Sequence, residues 1–361
     1  MTGAKRRLSS RNRTFIRNWN GQGWLLQNRP RTERISTGEA LRRALTLLIA
    51  LLFVGATIET ASAQAYPNRP IRIIIPFGPG GLADITTRLL GQKLAERTGE
   101  QVVIENRPSA GGIVAGNAVT SAQPDGYTLF VLSSGIALSK SLLKTMPFDP
   151  ATAFTPISTV AYFNLLIFAE PDSSLHDIKD VLTAARNDPV KFNVGTISAG
   201  STQNVTAELI KSATRIPMTV VTYRSTPDVL TSLLRGDTQI AVESYTALKS
   251  AIDSGQIKAI AATGETRSPM RPNVPTLREG GVNAEVVGWN SIVAPAKTPK
   301  EIVTFLNGHI RAIVASPDFK KRILNLGSEA KASTPEELGS RLAADIAKWA
   351  EVIKKAGIQP H

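Results

Sequence analysis

The places in this sequence where residue types and spacing could do chemistry are loops that follow short apolar runs. The first is Phe77-Gly78-Pro79-Gly80-Gly81-Leu82-Ala83-Asp84, between a strand-like run and a helical pattern. Its glycines let the backbone bring bare N–H groups against a ligand, and a helix N-terminus adds positive potential, so the loop suits a small anion. Read as G-x-G-x-x-A, with Glu105 at the end of the next strand, it also fits the dinucleotide fingerprint. Two residues count against a nucleotide. Pro79 removes an amide, and Asp84 sets a negative charge in the first helical turn, beside any pyrophosphate. A turn with no ligand is the plain alternative.

The second loop, Thr196-Ile197-Ser198-Ala199-Gly200-Ser201-Thr202-Gln203-Asn204, has the same setting. Its hydroxyls and amides suit a carboxylate, against the competing reading of an ordinary Ser/Thr helix cap. It is not a nucleophile elbow, because Ser198 lacks the G-x-S-x-G frame. Ser133-Ser134-Gly135 and Tyr223-Arg224-Ser225-Thr226 each follow a further strand-like run. Four polar loops at strand ends argue for one site more strongly than any of them alone.

Catalytic constellations are thin. Of three histidines, His176 stands at a helix start and His309 within a helical pattern, and His361 is the last residue. Carboxylates are scattered without metal-ligand spacing, and the absence of cysteine removes disulfides, thiolate metal sites and thiol nucleophiles. We expect no catalytic residue, metal or cofactor.

The elements that must position these loops alternate. Residues 71–75, 102–104 and 127–132 read as strands, with helices at 83–97 and 113–122 between them, which is the βαβαβ pattern of a parallel sheet. A strand-like run at 165–168 opens a second alternation, with helices at 177–187, 203–213, 227–235 and 246–254 and strands near 192–195, 218–222, 238–242 and 258–262. A strand at 291–293 and helices near 299–315 and 335–355 follow. Trp349 reads as a core residue of the last helix. Two α/β blocks in succession imply two lobes with a cleft between them.

The net charge of +13 over 361 residues suggests a polyanion partner until it is located. Residues 1–63 carry eleven Lys/Arg against three Glu, and the other 298 residues carry 31 basic and 26 acidic groups. A balance of +5 is ordinary for a soluble domain, so nucleic-acid binding loses its support. The basic segment ends at Arg42-Arg43, runs into an apolar stretch from Ala44 to Ile58, and reaches Ala61-Ser62-Ala63. Positive flank, short apolar core and small-x-small site read as a secretory signal peptide cut after Ala63. The apolar stretch is shorter than the ~20 residues that span a bilayer. The basic part is longer than a usual signal n-region, which points to a start codon set too far upstream. The expected location is the periplasm.

In sequence order the chain resembles the tripartite tricarboxylate transporter substrate-binding proteins, also called Bug receptors. The resemblance rests on YPNRPIRIIIPFGPGG (66–81), ENRP (105–108), AGG (110–112), QPDGYTL (123–129), FDP (148–150), RSPMRPNVPT (267–276), APAKTP (294–299), STPEEL (333–338) and AKWAEVIKKAGI (347–358). It implies an α/β, two-lobed periplasmic-binding-protein type II fold (a Venus flytrap). Each lobe would be a mostly parallel sheet flanked by helices, joined by a two-strand hinge. It further implies a carboxylated metabolite clamped between the lobes and handed to a membrane permease of the tripartite tricarboxylate type, with no chemistry performed. The chain departs from the family pattern at Leu82, where Ser or Thr is usual, at Asn204, where His is common, and at 223–226, where Y-K-G-S is typical. Glu243 stands at a position often acidic in the family, where it would either meet an amine of the ligand or merely line its lobe.

The expected lobes are 64–163 with 288–361, and 164–287. The expected ligand-binding residues are Phe77, Gly80, Gly81, Leu82, Asp84, Ser133 and Ser134 in the first lobe. In the second they are Ser198, Gly200, Ser201, Thr202, Asn204, Tyr223, Ser225, Thr226 and Glu243. The amides of Gly80, Gly81 and Leu82 should meet the ligand carboxylate, with waters bridging to Asp84. We expect a monomer. The alternative functions are a carboxylate sensor that signals to a membrane kinase and, with less support, a periplasmic hydrolase, which needs a base beside a nucleophile.

Overall fold

The computed structural model describes residues 66–268 and 270–355, with positions 38, 41, 42, 45 and 46 before them. The apolar stretch 44–58, the cleavage site after Ala63 and the final residues 356–361 therefore lie wholly or largely outside the described residues. Residues 64–361 form one compact unit, separate from 1–63.

Three strands open this unit: β1 (Ile71–Ile75), β2 (Val102–Asn106) and β3 (Thr128–Ser133). They pair in parallel in the order β2-β1-β3. The middle strand is buried along nearly its whole length, as a parallel strand covered on both faces must be. Helix α1 (Leu82–Thr98) joins β1 to β2, α2 (Ile113–Thr120) joins β2 to β3, and α3 (Ser134–Leu142) follows β3 without a gap. A second set repeats the arrangement. Strands β5 (Asn193–Ile197), β6 (Thr219–Tyr223) and β7 (Ile240–Ser244) pair in parallel as β6-β5-β7, with helices α5 (Thr202–Thr214), α6 (Thr226–Leu234) and α7 (Tyr245–Asp253) after each in turn.

Between the two sets lies an antiparallel centre. Strand β4 (Phe154–Ala169) runs the length of both. Up to Asn164 it pairs with β9 (Val287–Pro295), and from Leu165 onward with β7 and β8 (Lys258–Ala262). The resulting order is β2-β1-β3-β9-β4-β7-β5-β6, with β8 and the short β10 (Ser328–Ala330) added on β4. Each set is thus parallel, as the alternation predicts, but the sheet is mixed because β4 and β9 cross it antiparallel to their neighbours. This is an α/β fold.

The remaining helices are α4 (Ile178–Asn187), α8 (Lys300–Ala315), α9 (Pro317–Asn325) and α10 (Pro335–Lys355). Helix α4 starts at Asp177, whose side chain accepts from the N–H groups of Lys179 and Asp180. Helix α10 packs on α3 and β4 and is tied to β9 by Trp289 Nε1, which donates to Asp345 Oδ2 at 2.7 Å. Trp349 is buried on α10, as its pattern predicts. No described helix is long and apolar enough to cross a membrane.

Candidate functional site

Parallel strands put their carboxyl ends, and the N-termini of the helices that follow, at one edge of the sheet. The two sets turn these edges toward each other. A cavity of about 20 Å³ lies between them, lined by Phe77, Gly78, Gly81, Leu82, Ala83, Asp84, Ser133, Phe163, Ile197, Thr202, Gln203, Ser225, Thr226 and Asn290.

The first wall is the glycine loop. Gly80 adopts φ +81°, where a side chain is strained, and Gly81 is the N-cap of α1 in an extended conformation. No side chain caps this helix. Its first N–H groups have no intrahelical partner and point toward the cavity end of the helix. Asp84 closes the loop from inside. Its Oδ2 accepts from Gly80 N at 3.1 Å, and its Oδ1 accepts from Arg88 Nε at 2.9 Å and Asn106 Nδ2 at 3.0 Å. Asn106 also donates to Phe77 O. Burial pushes the Asp84 carboxyl up, but the hydrogen bonds from Arg88, Gly80 and Asn106 and the Arg88 charge together hold it below the ordinary aspartate value. The expectation that Gly80 offers its amide to a ligand is therefore corrected, because Asp84 occupies that N–H. Gly81 and Leu82 do line the cavity.

The second wall comes from the loop before α5 and the start of α6. Gly200 has φ +78°, and its N–H donates to Asn204 Oδ1 at 3.0 Å. Ser201 caps α5, accepting from Asn204 N and donating to Ile197 O. Gly200, Ser201 and Asn204 thus build the loop and do not line the cavity, nor do Ser198 and Tyr223. Thr202 does line it, and also bridges the two walls: its Oγ1 accepts from Gly135 N at 3.1 Å and lies 2.9 Å from Ser134 Oγ. That contact occupies Ser134, which stands behind the lining, whereas Ser133 lines the cavity and caps α3. Ser225 caps α6 at the rim.

Glu243 is completely buried on β7, behind the cavity. Its Oε1 accepts from Gln203 Nε2 and Ser244 N, each at 2.7 Å, and its Oε2 accepts from Thr226 Oγ1 at 2.8 Å. Burial pushes its pKa up, and these donors offset that only in part. Six lining residues fall outside the expected set. Gly78, Ala83, Ile197 and Gln203 sit inside the first two strand-end loops, whereas Phe163 and Asn290 lie on β4 and β9 and reach the cavity only through tertiary pairing.

The candidate bases do not converge. His176 is exposed at the start of α4, and His309 packs on the Phe305 ring with Arg97 Nε 3.4 Å from its Nδ1. No group of His, Asp or Glu among the described residues could hold a metal ion.

The chain matches the model of the "Tripartite tricarboxylate transporter family receptor" over residues 86–358. Three solved structures are similar to it. Rpa4515 of R. palustris with adipate is 32% identical with a TM-score of 0.78, and the match covers 82% of this chain and 100% of that one. The periplasmic binding protein BugD is 31% identical with a TM-score of 0.78, at the same coverage of each chain. MatC from Rhodopseudomonas palustris with bound malate is 27% identical with a TM-score of 0.76, covering 80% of this chain and 100% of that one. The fold, the facing strand ends and the family match agree: this chain belongs to the tripartite tricarboxylate transporter receptor family of periplasmic solute-binding proteins.

Proposed function

We propose that this receptor captures a small carboxylate in the cavity and delivers it to a membrane permease of the tripartite tricarboxylate type. The observation that carries this reading is the uncapped start of α1, whose N–H groups face a cavity that a second polar wall closes. The bound adipate of Rpa4515 and malate of MatC support a carboxylate as the ligand class. The chain divides at the partner change of β4 into lobes 64–163 with 288–361 and 164–287, with β4 and β9 as the hinge. A cavity of about 20 Å³ has room for about one water. A dicarboxylate needs several times that space, so the lobes part to admit it and close over it. Contacts made only in the closed state shift the open–closed balance, and the permease reads that shift. The receptor works as a monomer after export, with the signal peptide removed at Ala63.

Thermal-shift titration of the purified chain with mono-, di- and tricarboxylates tests the ligand class. A saturating acid at 100 times its Kd should add about 2.7 kcal/mol of stability. Melting points that move only with neutral or cationic solutes would refute the carboxylate reading.

A further inference from the structure

Glu243 touches the cavity only through two side chains that line it, Gln203 and Thr226. We propose that Glu243 is a positioning residue that turns acceptor atoms of Gln203 and Thr226 toward the cleft. The favoured ligand is then a carboxylate that also carries a hydrogen-bond donor, a hydroxy or amino acid, over a plain dicarboxylate. This rests on the carboxylate reading above and specifies its ligand.

The polarity follows from what a carboxylate can do. In its ionised form Glu243 accepts and does not donate, so both partners then give it a proton. Thr226 has one hydroxyl proton, directed at Oε2, and presents only lone pairs elsewhere. Gln203 turns its nitrogen back to Oε1, and no described residue donates to its carbonyl oxygen. Thr226 Oγ1 stands 3.2 Å from where a Cβ on Gly81 would be, directly across from the start of α1. The cleft is therefore polarised, with backbone donors on one wall and acceptors on the other. A carboxylate satisfies the first wall, and a hydroxyl or ammonium satisfies the second. A second bare carboxylate there would face lone pairs and lose its water without replacement.

Glu243→Gln reverses one half of this arrangement without removing any bond. Ser244 N and Gln203 Nε2 both donate to Oε1, so the oxygen of the new amide must stay there. Its nitrogen then takes the place of Oε2 and donates to Thr226 Oγ1. Thr226 no longer has to give its proton away, and its hydroxyl is free to donate into the cleft.

Succinate, malate and aspartate share one carbon skeleton and differ in bearing hydrogen, hydroxyl or ammonium, so calorimetric titration with these three isolates the effect. Wild type should bind malate or aspartate at least about tenfold tighter than succinate, the range of one well-placed buried hydrogen bond. Glu243→Gln should cut that ratio about tenfold, with succinate binding gained as malate binding is lost. Thr226→Val, which deletes the acceptor and leaves Glu243 in place, should also lower the ratio, and it decides the matter if the first variant does not fold. A merely structural glutamate would weaken all three acids together. Equal or tighter binding of succinate by wild type, or an unchanged ratio in the variants, overturns the proposal and leaves the carboxylate receptor standing. Failure of wild type to bind any carboxylate overturns both.

Discussion

Asp84 and Asn204 hold the same place in two copies of one loop. Each accepts a hydrogen bond from the N–H of the left-handed glycine four residues earlier, Gly80 at 3.1 Å and Gly200 at 3.0 Å. In each copy the residue after that glycine is the extended N-cap of a helix. The copies differ in capping and in charge. Ser201 supplies a hydroxyl that takes one of the N–H groups of α5, whereas Gly81 supplies nothing, so the start of α1 stays open to a ligand. Asp84 brings a negative charge to that open end, and Arg88 balances it.

The charge at Asp84 should therefore stabilise the fold through its protein partners. Its carboxyl titrates below the ordinary aspartate value, so the contribution is present above that value and is lost as pH falls through the folded one. Asp84→Asn should lower stability by about 1–2 kcal/mol at neutral pH, the scale of one charge-assisted hydrogen bond. Melting curves of both proteins between pH 7 and pH 3 check this, since the gap should narrow on acidification. A gap independent of pH would mean that the carboxylate charge plays no part.

Glu243 gives the opposite sign. Burial raises its pKa, so the folded state binds this proton more tightly than the unfolded chain, and the ionised form costs stability as pH rises. Glu243→Gln removes that cost while keeping its partners. The variant should melt closest to wild type under acid conditions and gain on it toward pH 8. A difference that shrinks with rising pH would contradict the burial argument.

The alternation of strands and helices was legible because each element carries its own period, and the ends of α4 to α7 fall within a residue or so of their expected places. β4 was legible only from Leu165 to Phe168. Its earlier part mixes Thr155, Pro156, Ser158 and Thr159 with apolar residues, and it is a strand because β9 lies beside it. Helix α3 was hidden behind Ser133-Ser134-Gly135, which reads as a loop but caps the helix. The same limit governs the site. Gly81, Leu82, Ser133, Thr202, Ser225 and Thr226 carry local signals of a strand-end loop. Phe163 and Asn290 carry none, since only the pairing of β4 with β9 brings them to the cavity. That Asp84 closes on Gly80 is a matter of side-chain direction, which spacing does not reveal.

Neighbouring glycines in the first loop should respond differently to alanine. Gly80 sits at φ +81°, so Gly80→Ala should cost about 1–2 kcal/mol of stability. Gly81 has φ −84°, which any residue adopts, and a Cβ there meets only Thr226 Oγ1 at 3.2 Å. Gly81→Ala should cost less stability than Gly80→Ala and should weaken carboxylate binding by narrowing the cleft and crowding Thr226 Oγ1. Denaturant melts and ligand titrations on the two variants separate these effects, and a tight-binding Gly81→Ala would show that the ligand does not approach this amide.

Gly135 tests whether closure itself carries affinity. Its N–H donates to Thr202 Oγ1, and a Cβ added to it would overlap the backbone of Ser201 and Thr202 on the opposite wall. Neither neighbour is the flexible end of a side chain, so the walls must part to admit a methyl group. Gly135 itself does not line the cavity, so the added methyl group acts on the contact between the walls through the backbone of Thr202. If binding needs the closed arrangement, lowering its population weakens the apparent affinity by the same factor. Gly135→Ala should therefore raise Kd at least tenfold, about 1.4 kcal/mol. The radius of gyration in the presence of ligand should stay larger than that of liganded wild type. Thr202→Val, which removes the bridge without adding bulk, should weaken binding less. Unchanged affinity and a fully compact Gly135→Ala complex would mean that the contact between Gly135 and Thr202 can give way without cost, and that the affinity resides in the cavity walls alone.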